Sequence, residues 1–158
     1  MLLQTNYIGL DGQKAIQLAE SLNELLANYQ VFYMNVRGYH WNIKGEKFFE
    51  LHAKFEELYS DLQIKIDEIA ERILTLGETP RHSFSSYLQQ AEVKAHEEVR
   101  DGRIAVEGIL GAFRILLGLQ RNLLEQSAEA NDEGSNALMS DYIREQEKLV
   151  WMYAAYLG

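Results

Sequence analysis

The sequence has no cysteine among its 158 residues and a single proline, Pro80. Without cysteine the chain forms no disulfide and binds no metal through thiolate, which fits a reducing compartment such as the cytoplasm. No apolar run approaches the ~20 residues that a membrane span needs, and the first ten residues lack the basic start of a secretory signal. The sequence therefore predicts a cytoplasmic protein with no membrane partner.

Basic residues are also scarce. The chain has 15 lysines and arginines against 24 aspartates and glutamates, a net charge of −9. Nucleic acid and anionic lipid attract basic surfaces. The first basic residue is Lys14 and the last is Lys148, so neither end offers a lysine-rich tail. The composition thus disfavours direct DNA binding.

Long helical periodicities fill most of the chain. Apolar residues recur at steps of three and four in four segments. A connector of about 25 residues, 77–101, contains a short segment of the same spacing, 83–95. A connector of this length can recross a helix of ~30 residues, or ~45 Å. The pattern predicts an all-α four-helix bundle, a single domain over 1–158, with a short extra helix in the long crossover between helices two and three.

The second helix, from Glu46 onward, carries three stripes rather than the usual two. Its apolar stripe comprises Leu51, Phe55, Leu58, Leu62, Ile66, Ile69, Ile73 and Leu76. Its predicted solvated face comprises Lys54, Glu57, Asp61, Lys65, Glu68 and Arg72. The third stripe mixes His52, Glu56, Asp67 and Glu71 with Phe49, Tyr59, Gln63 and Ala70.

The third stripe is symmetric about a point between Asp61 and Leu62. If an identical helix lies antiparallel across a twofold axis at that point, His52 faces the other copy's Glu71. Glu56 then faces the other copy's Asp67. Within one chain the two halves lie fifteen residues apart, or about 22 Å, too far to share an ion. Across a self-complementary dimer interface they meet twice.

A second imidazole, His40, lies twelve residues before His52, in the turn that leads into this helix. Two imidazoles and three carboxylates suit Fe(II), Mn(II) or Zn(II). The chain contains no Glu-x-x-His motif, which argues against the di-iron site that some bundles build inside one subunit. The alternative interpretation is a charged helix flank with a partly buried histidine.

The runs YHWNIKG, FFELH and DEIAER resemble the Dps family of ferritin-like mini-ferritins, the DNA-binding proteins from starved cells. The resemblance covers nearly the whole chain and implies a ferritin-like fold. It also implies a ferroxidase centre built across a dimer interface, with His40, His52 and Glu56 from one subunit and Asp67 and Glu71 from the other. The third position is usually aspartate in the family, and here it is the longer Glu56.

The resemblance further implies oxidation of Fe(II), preferably by hydrogen peroxide, storage of ferric mineral and a homo-oligomeric shell of twelve subunits. Zn(II) or Mn(II) could replace iron. Trp41 is a candidate electron donor or simply an interface residue, and Glu57 and Asp61 are candidate nucleation sites or a solvated face. His82 and His96, on the connector, are predicted non-ligands. Candidates for the pore through which iron enters are Asp132, Glu133 and Asp141.

Two other functions stay open from the sequence. One is a nucleoid-associated DNA-binding protein with a minor or vestigial metal site, for which a segregated basic surface would be required. The other is a purely structural helical assembly, for which the five proposed ligands would have to bind no metal.

Overall fold

The computed structural model describes residues 5–158. Its helices are α1 (Gly12–Asn42), α2 (Phe48–Thr75), α3 (Phe84–Gln90), α4 (Gly102–Glu129) and α5 (Glu133–Leu157). Four of them are 25–31 residues long, and α3 is the short helix in the crossover. The predicted all-α bundle with an extra helix is therefore confirmed. Within residues 5–158, no helix is long and apolar enough to cross a membrane.

The helices start where short polar side chains cap them. The carboxylates of Asp11, Asp101 and Asp132 and the hydroxyl of Ser83 each accept a hydrogen bond from a backbone N–H three residues later. An N-cap of this kind contributes about 1 kcal/mol to helix stability. Because α1 and α2 are joined by only five residues and pack on each other, they run antiparallel.

One buried apolar cluster joins the helices. The α2 stripe predicted from periodicity lies in it, with Phe55, Leu62, Ile69 and Ile73 fully buried and Ile66 partly so. Burying a side chain of this size stabilises the fold by about 1.5–3 kcal/mol. Further fully buried aromatic rings are Tyr29, Phe32, Tyr39 and Phe113.

Three asparagines of α1 fix the long crossover to the bundle. Asn23 accepts a hydrogen bond from the backbone of Arg81, and Asn35 from that of His96. Asn28 accepts from two successive backbone N–H groups, those of residues 92 and 93. Asn23 and Asn35 also donate to connector carbonyls. These bonds replace a regular helix over much of the connector, where the predicted helix 83–95 proves to be only the seven residues of α3.

The predicted solvated face of α2 is wrong at Lys65. Its side chain is buried, with Nζ 2.8 Å from both carboxylate oxygens of Asp61 and 2.8 Å from Glu145 of α5. Arg72 of the same face reaches Asp132 at 2.7 Å. Both side chains form an ion pair with a carboxylate outside α2, and this pairing offsets the desolvation cost of burying the positive charge.

Candidate metal centre

His40 and His52 bind each other's backbone. His40 Nδ1 lies 2.7 Å from the carbonyl oxygen of His52, and His52 Nδ1 lies 2.7 Å from the carbonyl oxygen of His40. The two rings stack with 3.8 Å between centroids and 13° between planes. The last turn of α1 and the first turn of α2 are thereby locked together at the two imidazoles.

This geometry fixes which nitrogen of each ring is free. A carbonyl oxygen only accepts, so each Nδ1 must carry the proton and donate it. In the neutral rings both Nε2 atoms then hold a lone pair. An imidazole whose other nitrogen donates to a carbonyl is the usual state of a metal-binding histidine in proteins. The pair is therefore prepared to bind a cation through His40 Nε2 and His52 Nε2.

Glu56, one turn further along α2 than His52, brings a carboxylate to the pair. Its Oε1 lies 3.9 Å from His40 Nε2. Two ligands that each sit about 2.1 Å from one ion are at most about 4.2 Å apart, so this separation leaves room for an ion between the two atoms. The Glu56 side chain is 60 % exposed. The longer glutamate thus comes within 3.9 Å of His40.

Asp67 and Glu71 do not join this cluster within one chain. Both are exposed and lie towards the far end of α2. Over residues 5–158, one chain alone brings no three histidine or carboxylate side chains together as a metal site. The five predicted ligands could meet in one centre only if a second subunit supplied Asp67 and Glu71.

The α2 face that carries these carboxylates also exposes large apolar side chains to solvent. Phe49 is 84 % exposed, Ile64 61 % and Leu74 57 %. In the antiparallel pairing centred between residues 61 and 62, Phe49 falls opposite the other copy's Leu74. Ile64 falls opposite Tyr59. The pairing that brings the proposed ligands together therefore also covers the exposed apolar side chains, as a self-complementary interface requires.

Trp41 directly follows His40 and lies outside the core. Its side chain is 58 % exposed. The guanidinium carbon of Arg37 lies 4.8 Å from its ring centre and 4.5 Å from that of Tyr59. Tyr59 in turn lies edge-on to His40 at 5.2 Å. A cation held among aromatic rings thus flanks the histidines, an arrangement that the sequence pattern did not reveal.

The two predicted nucleation residues line a groove of about 610 Å³ between α2 and α5. Glu57 pairs with Lys54 at 2.9 Å, and Asp61 holds the buried Lys65. Burial opposes the charge on Lys65, but the carboxylates of Asp61 and Glu145 outweigh it and raise its pKa. Asp61 is therefore already neutralised by a lysine of its own chain, whereas Glu57 is the more exposed of the two.

The three pore candidates differ in accessibility. Asp132 is 2 % exposed, and its Oδ1 accepts from both Arg72 and the backbone of Ser135. Glu133 and Asp141 are exposed near the start of α5. The geometry favours these two as solvent-facing carboxylates, since Asp132 caps α5 and binds Arg72.

The connector histidines have partners away from the pair. His82 Nδ1 lies 3.0 Å from the carbonyl oxygen of Pro80. His96 Nδ1 lies 2.6 Å from the hydroxyl of the buried Tyr39. Local spacing could not indicate the second contact, because it joins residues 57 positions apart.

The fold and these residues can be compared with known proteins. The ferritin-like domain family matches residues 19–158. A DNA protection during starvation protein from Porphyromonas gingivalis is 44 % identical, with 94 % of this chain and 93 % of that protein covered. The chain belongs to the Dps family of ferritin-like proteins. An uncharacterised Haemophilus influenzae protein is 55 % identical over 94 % of this chain and 92 % of its own length.

Among solved structures, the Dps protein of Vibrio cholerae O1 superimposes with a TM-score of 0.97 and 62 % identity, over 100 % of this chain and 99 % of that one. It is described as a member of a broad superfamily of ferritin-like diiron-carboxylate proteins. A Dps protein from Bacillus brevis superimposes at 0.89 with 32 % identity, covering 92 % and 98 % of the two chains. The Dps-type fold expected from the three sequence runs is thus confirmed.

Proposed function

We propose that this Dps-family protein oxidises Fe(II) at centres shared between two subunits and stores the ferric product inside a closed homo-oligomeric shell. His40, His52 and Glu56 of one subunit and Asp67 and Glu71 of its partner bind the iron. The observation that carries the proposal is the reciprocal bonding of the two histidines, which turns both Nε2 atoms into free ligands. The ferritin-like family supports iron as the substrate.

The donor set explains why iron would be oxidised there. Imidazole nitrogen and carboxylate oxygen both bind Fe(II). The carboxylates carry negative charge and therefore stabilise Fe(III) more than Fe(II), which favours the loss of an electron. Hydrogen peroxide, the preferred oxidant in this proposal, takes one electron from each of two Fe(II) ions. Two protons are consumed and two waters form, so both electrons are accounted for without release of a hydroxyl radical.

The dimer is part of the mechanism. One chain contributes three ligands near the start of α2 and two near its other end. A twofold partner therefore completes two centres at once. A shell of twelve subunits, assembled from such dimers, would enclose the mineral and protect the cell against oxidative stress. Zn(II) or Mn(II) could occupy the same ligands, and the cytoplasm is the compartment we assign.

Product handling falls to carboxylates outside the centre. Glu57 and Asp61 are proposed as nucleation residues, with Glu57 the stronger because Lys65 holds Asp61. Glu133 and Asp141 are proposed to line the pore through which iron enters, with Asp132 fixing the α5 terminus beside them. Each assignment needs only an exposed carboxylate on the appropriate surface of the shell.

The experiment that tests the proposal is an anomalous-scattering map of crystals soaked in Fe(II) without oxygen. We expect peaks beside His40 Nε2, with Asp67 of the twofold-related chain on the other side. Stopped-flow mixing of the same protein with Fe(II) and peroxide should show oxidation faster than in protein-free buffer. An empty interface together with no acceleration would exclude the proposed ferroxidase function.

A further inference from the structure

A buried tyrosine comes directly before the first histidine of the pair in the sequence. Tyr39 precedes His40 on α1 and is 2 % exposed. Its hydroxyl is 2.6 Å from Nδ1 of His96, and the two rings stand at 86° with 5.6 Å between centroids. Its ring also lies 6.0 Å from Phe55, the neighbour of Glu56. Tyr39 is therefore one residue from a proposed ligand along α1, and its ring packs on a residue next to another proposed ligand on α2.

The contact between Tyr39 and His96 depends on a glycine in a third element. A Cβ atom added to Gly108 of α4 would collide with the Tyr39 hydroxyl and lie 2.9 Å from His96 Nδ1. Glycine weakens the interior of a helix, and at this position it leaves room for the hydrogen-bonded pair. Gly111 and Gly118 of the same helix have open space instead. The tyrosine–histidine pair is thus built by α1, the crossover and α4 together.

We propose that Tyr39 and His96 donate an electron and a proton to the ferroxidase centre when it holds a single Fe(II). The inference rests on the proposed ferroxidase function and deepens it. A single Fe(II) supplies one electron, whereas peroxide takes two. The phenol supplies the second, and His96 Nδ1 takes its proton as the neutral tyrosyl radical forms.

The step balances in atoms and charge. The reactants are Fe(II), the Tyr39 phenol, neutral His96, one hydrogen peroxide and two protons from solvent. The O–O bond breaks, the phenol O–H bond breaks, and two waters form. Fe(III), a tyrosyl radical and protonated His96 remain. His96 is partly exposed, so its proton can return to water after the radical is reduced.

Tyr29 and Trp41 do not offer the same route, and the hydroxyl of Tyr59 donates to Glu56 at 3.5 Å, a carboxylate that the proposal assigns to iron. The hydroxyl of buried Tyr29 donates to Gln120 and accepts from Gln146, two amides that do not take up a proton. Trp41 lies beneath the guanidinium of Arg37 at 4.8 Å. That positive charge opposes an indole radical cation. Oxidation of Tyr39 creates no net charge on its ring, because the proton leaves with the electron.

The test is rapid-freeze-quench electron paramagnetic resonance of the intact assembly, loaded with one Fe(II) per centre and mixed with hydrogen peroxide. We expect a tyrosyl signal that narrows when the protein contains ring-deuterated tyrosine. The signal should vanish in Tyr39→Phe and persist in the matched control Tyr29→Phe. His96→Gln keeps a hydrogen-bond acceptor but no base. Since a positioned base contributes about 10²–10⁴-fold to proton transfer, its radical yield should fall at least about tenfold.

Fe(II) consumption in the same samples tests the ferroxidase proposal separately from the role of Tyr39 and His96. Three results would overturn the role of the pair if iron is still oxidised: a radical of undiminished intensity in Tyr39→Phe, a radical on tryptophan alone, or a full radical yield in His96→Gln. Each of them would leave the ferroxidase proposal standing. A wild-type protein that does not oxidise iron would overturn both. Tyr39→Phe removes a single hydroxyl and should leave the fold intact, which circular dichroism of that variant checks.

Discussion

His40 and His52 each donate Nδ1–H to the other's backbone carbonyl at 2.7 Å. The two bonds join the end of α1 to the start of α2 and leave both Nε2 atoms without a proton in the neutral rings. Replacing either histidine with alanine therefore removes one proposed iron ligand and the bond that its own ring donates, whereas the other ring keeps its bond to the backbone carbonyl. The apolar core stripe of α2 is untouched by either change.

Accordingly, His40→Ala and His52→Ala should each slow peroxide-driven Fe(II) oxidation at least about tenfold, the order of effect seen when the orientation of a metal ligand is lost. Stopped-flow absorbance measures the rate, and light scattering should show an intact assembly. His82→Ala is the matched control, because that imidazole bonds to the Pro80 carbonyl in its own turn. Unchanged kinetics in both ligand variants would reject the assignments.

The antiparallel register of α2 is tested by exchanging an apolar contact for a charged one. Phe49→Lys should dissociate the dimer, because it buries an unpaired charge against the partner's Leu74. Leu74→Glu should do the same. The double variant places the new lysine opposite the new glutamate twice per dimer, so association should partly return. Analytical ultracentrifugation gives the populations.

The control for that exchange combines Phe49→Lys with Ile64→Glu. Residue 64 faces residue 59 in the proposed register, so no new ion pair forms and the dimer should stay dissociated. Equal recovery in the two double variants would mean that a general charge effect, rather than the register, governs association.

Direct binding to duplex DNA should be weak at about 0.15 M salt, because DNA affinity comes largely from lysine and arginine that release counterions. Nine of the 15 basic residues lie within 4.0 Å of a carboxylate of the same chain. Those nine are Lys47, Lys54, Lys65, Arg72, Arg81, Arg100, Arg103, Arg121 and Arg144. A gel shift with submicromolar affinity and no added divalent cation would contradict this expectation.

Four buried tyrosines should resist ionisation. Burial raises the pKa of Tyr39 to about 12 and those of Tyr29, Tyr142 and Tyr153 further above the ordinary value. Because the folded pKa values exceed the unfolded value of ~10, the stability that these groups contribute is complete below about pH 10. It is lost as the pH rises towards the folded values.

Ultraviolet titration of phenolate measures this directly. At about pH 11, Tyr153→Phe should leave the phenolate signal of the folded protein unchanged and remove one ionising tyrosine from the urea-unfolded chain. Complete ionisation of all nine tyrosines by that pH in a protein that is still helical would refute the prediction.

The sequence predicted the fold well because periodicity reports burial. The α2 residues from Leu51 to Leu76 at three- and four-residue steps proved to be core positions, and most of the polar residues beside them proved to be exposed. Contacts between distant side chains could not be read in the same way. Lys65 was assigned to solvent because its partner Glu145 lies 80 positions further along the chain.

In the candidate site, too, local spacing was informative and contacts between distant residues were not. Spacing predicted that His40, His52 and Glu56 lie close together, and the structure stacks the two imidazoles and puts Glu56 Oε1 3.9 Å from His40 Nε2. Their role as metal ligands stays a prediction. The backbone carbonyls that fix the two imidazoles have no sequence signature, since every residue carries one. Tyr39 and His96 were also missed as a pair, because their contact crosses the long connector.

The central claim, that each centre is shared between subunits, can be tested by mixing two inactive variants. His52→Ala and Asp67→Ala each damage both centres of a pure dimer. In a mixed dimer the two defects fall in one centre, and the second receives His52 and Asp67 intact. Random pairing makes half of the dimers mixed, each with one of its two centres whole.

The decisive measurement is therefore the peroxide-driven Fe(II) oxidation rate of the two variants co-expressed in one cell, with mass spectrometry showing that mixed dimers are present. If centres act independently, about one quarter of the wild-type rate should return, since the sites are distant and their effects add. A site within one subunit could not recover, because each chain would carry its own defect into its own site. A rate no higher than that of the separate variants would contradict the shared centre.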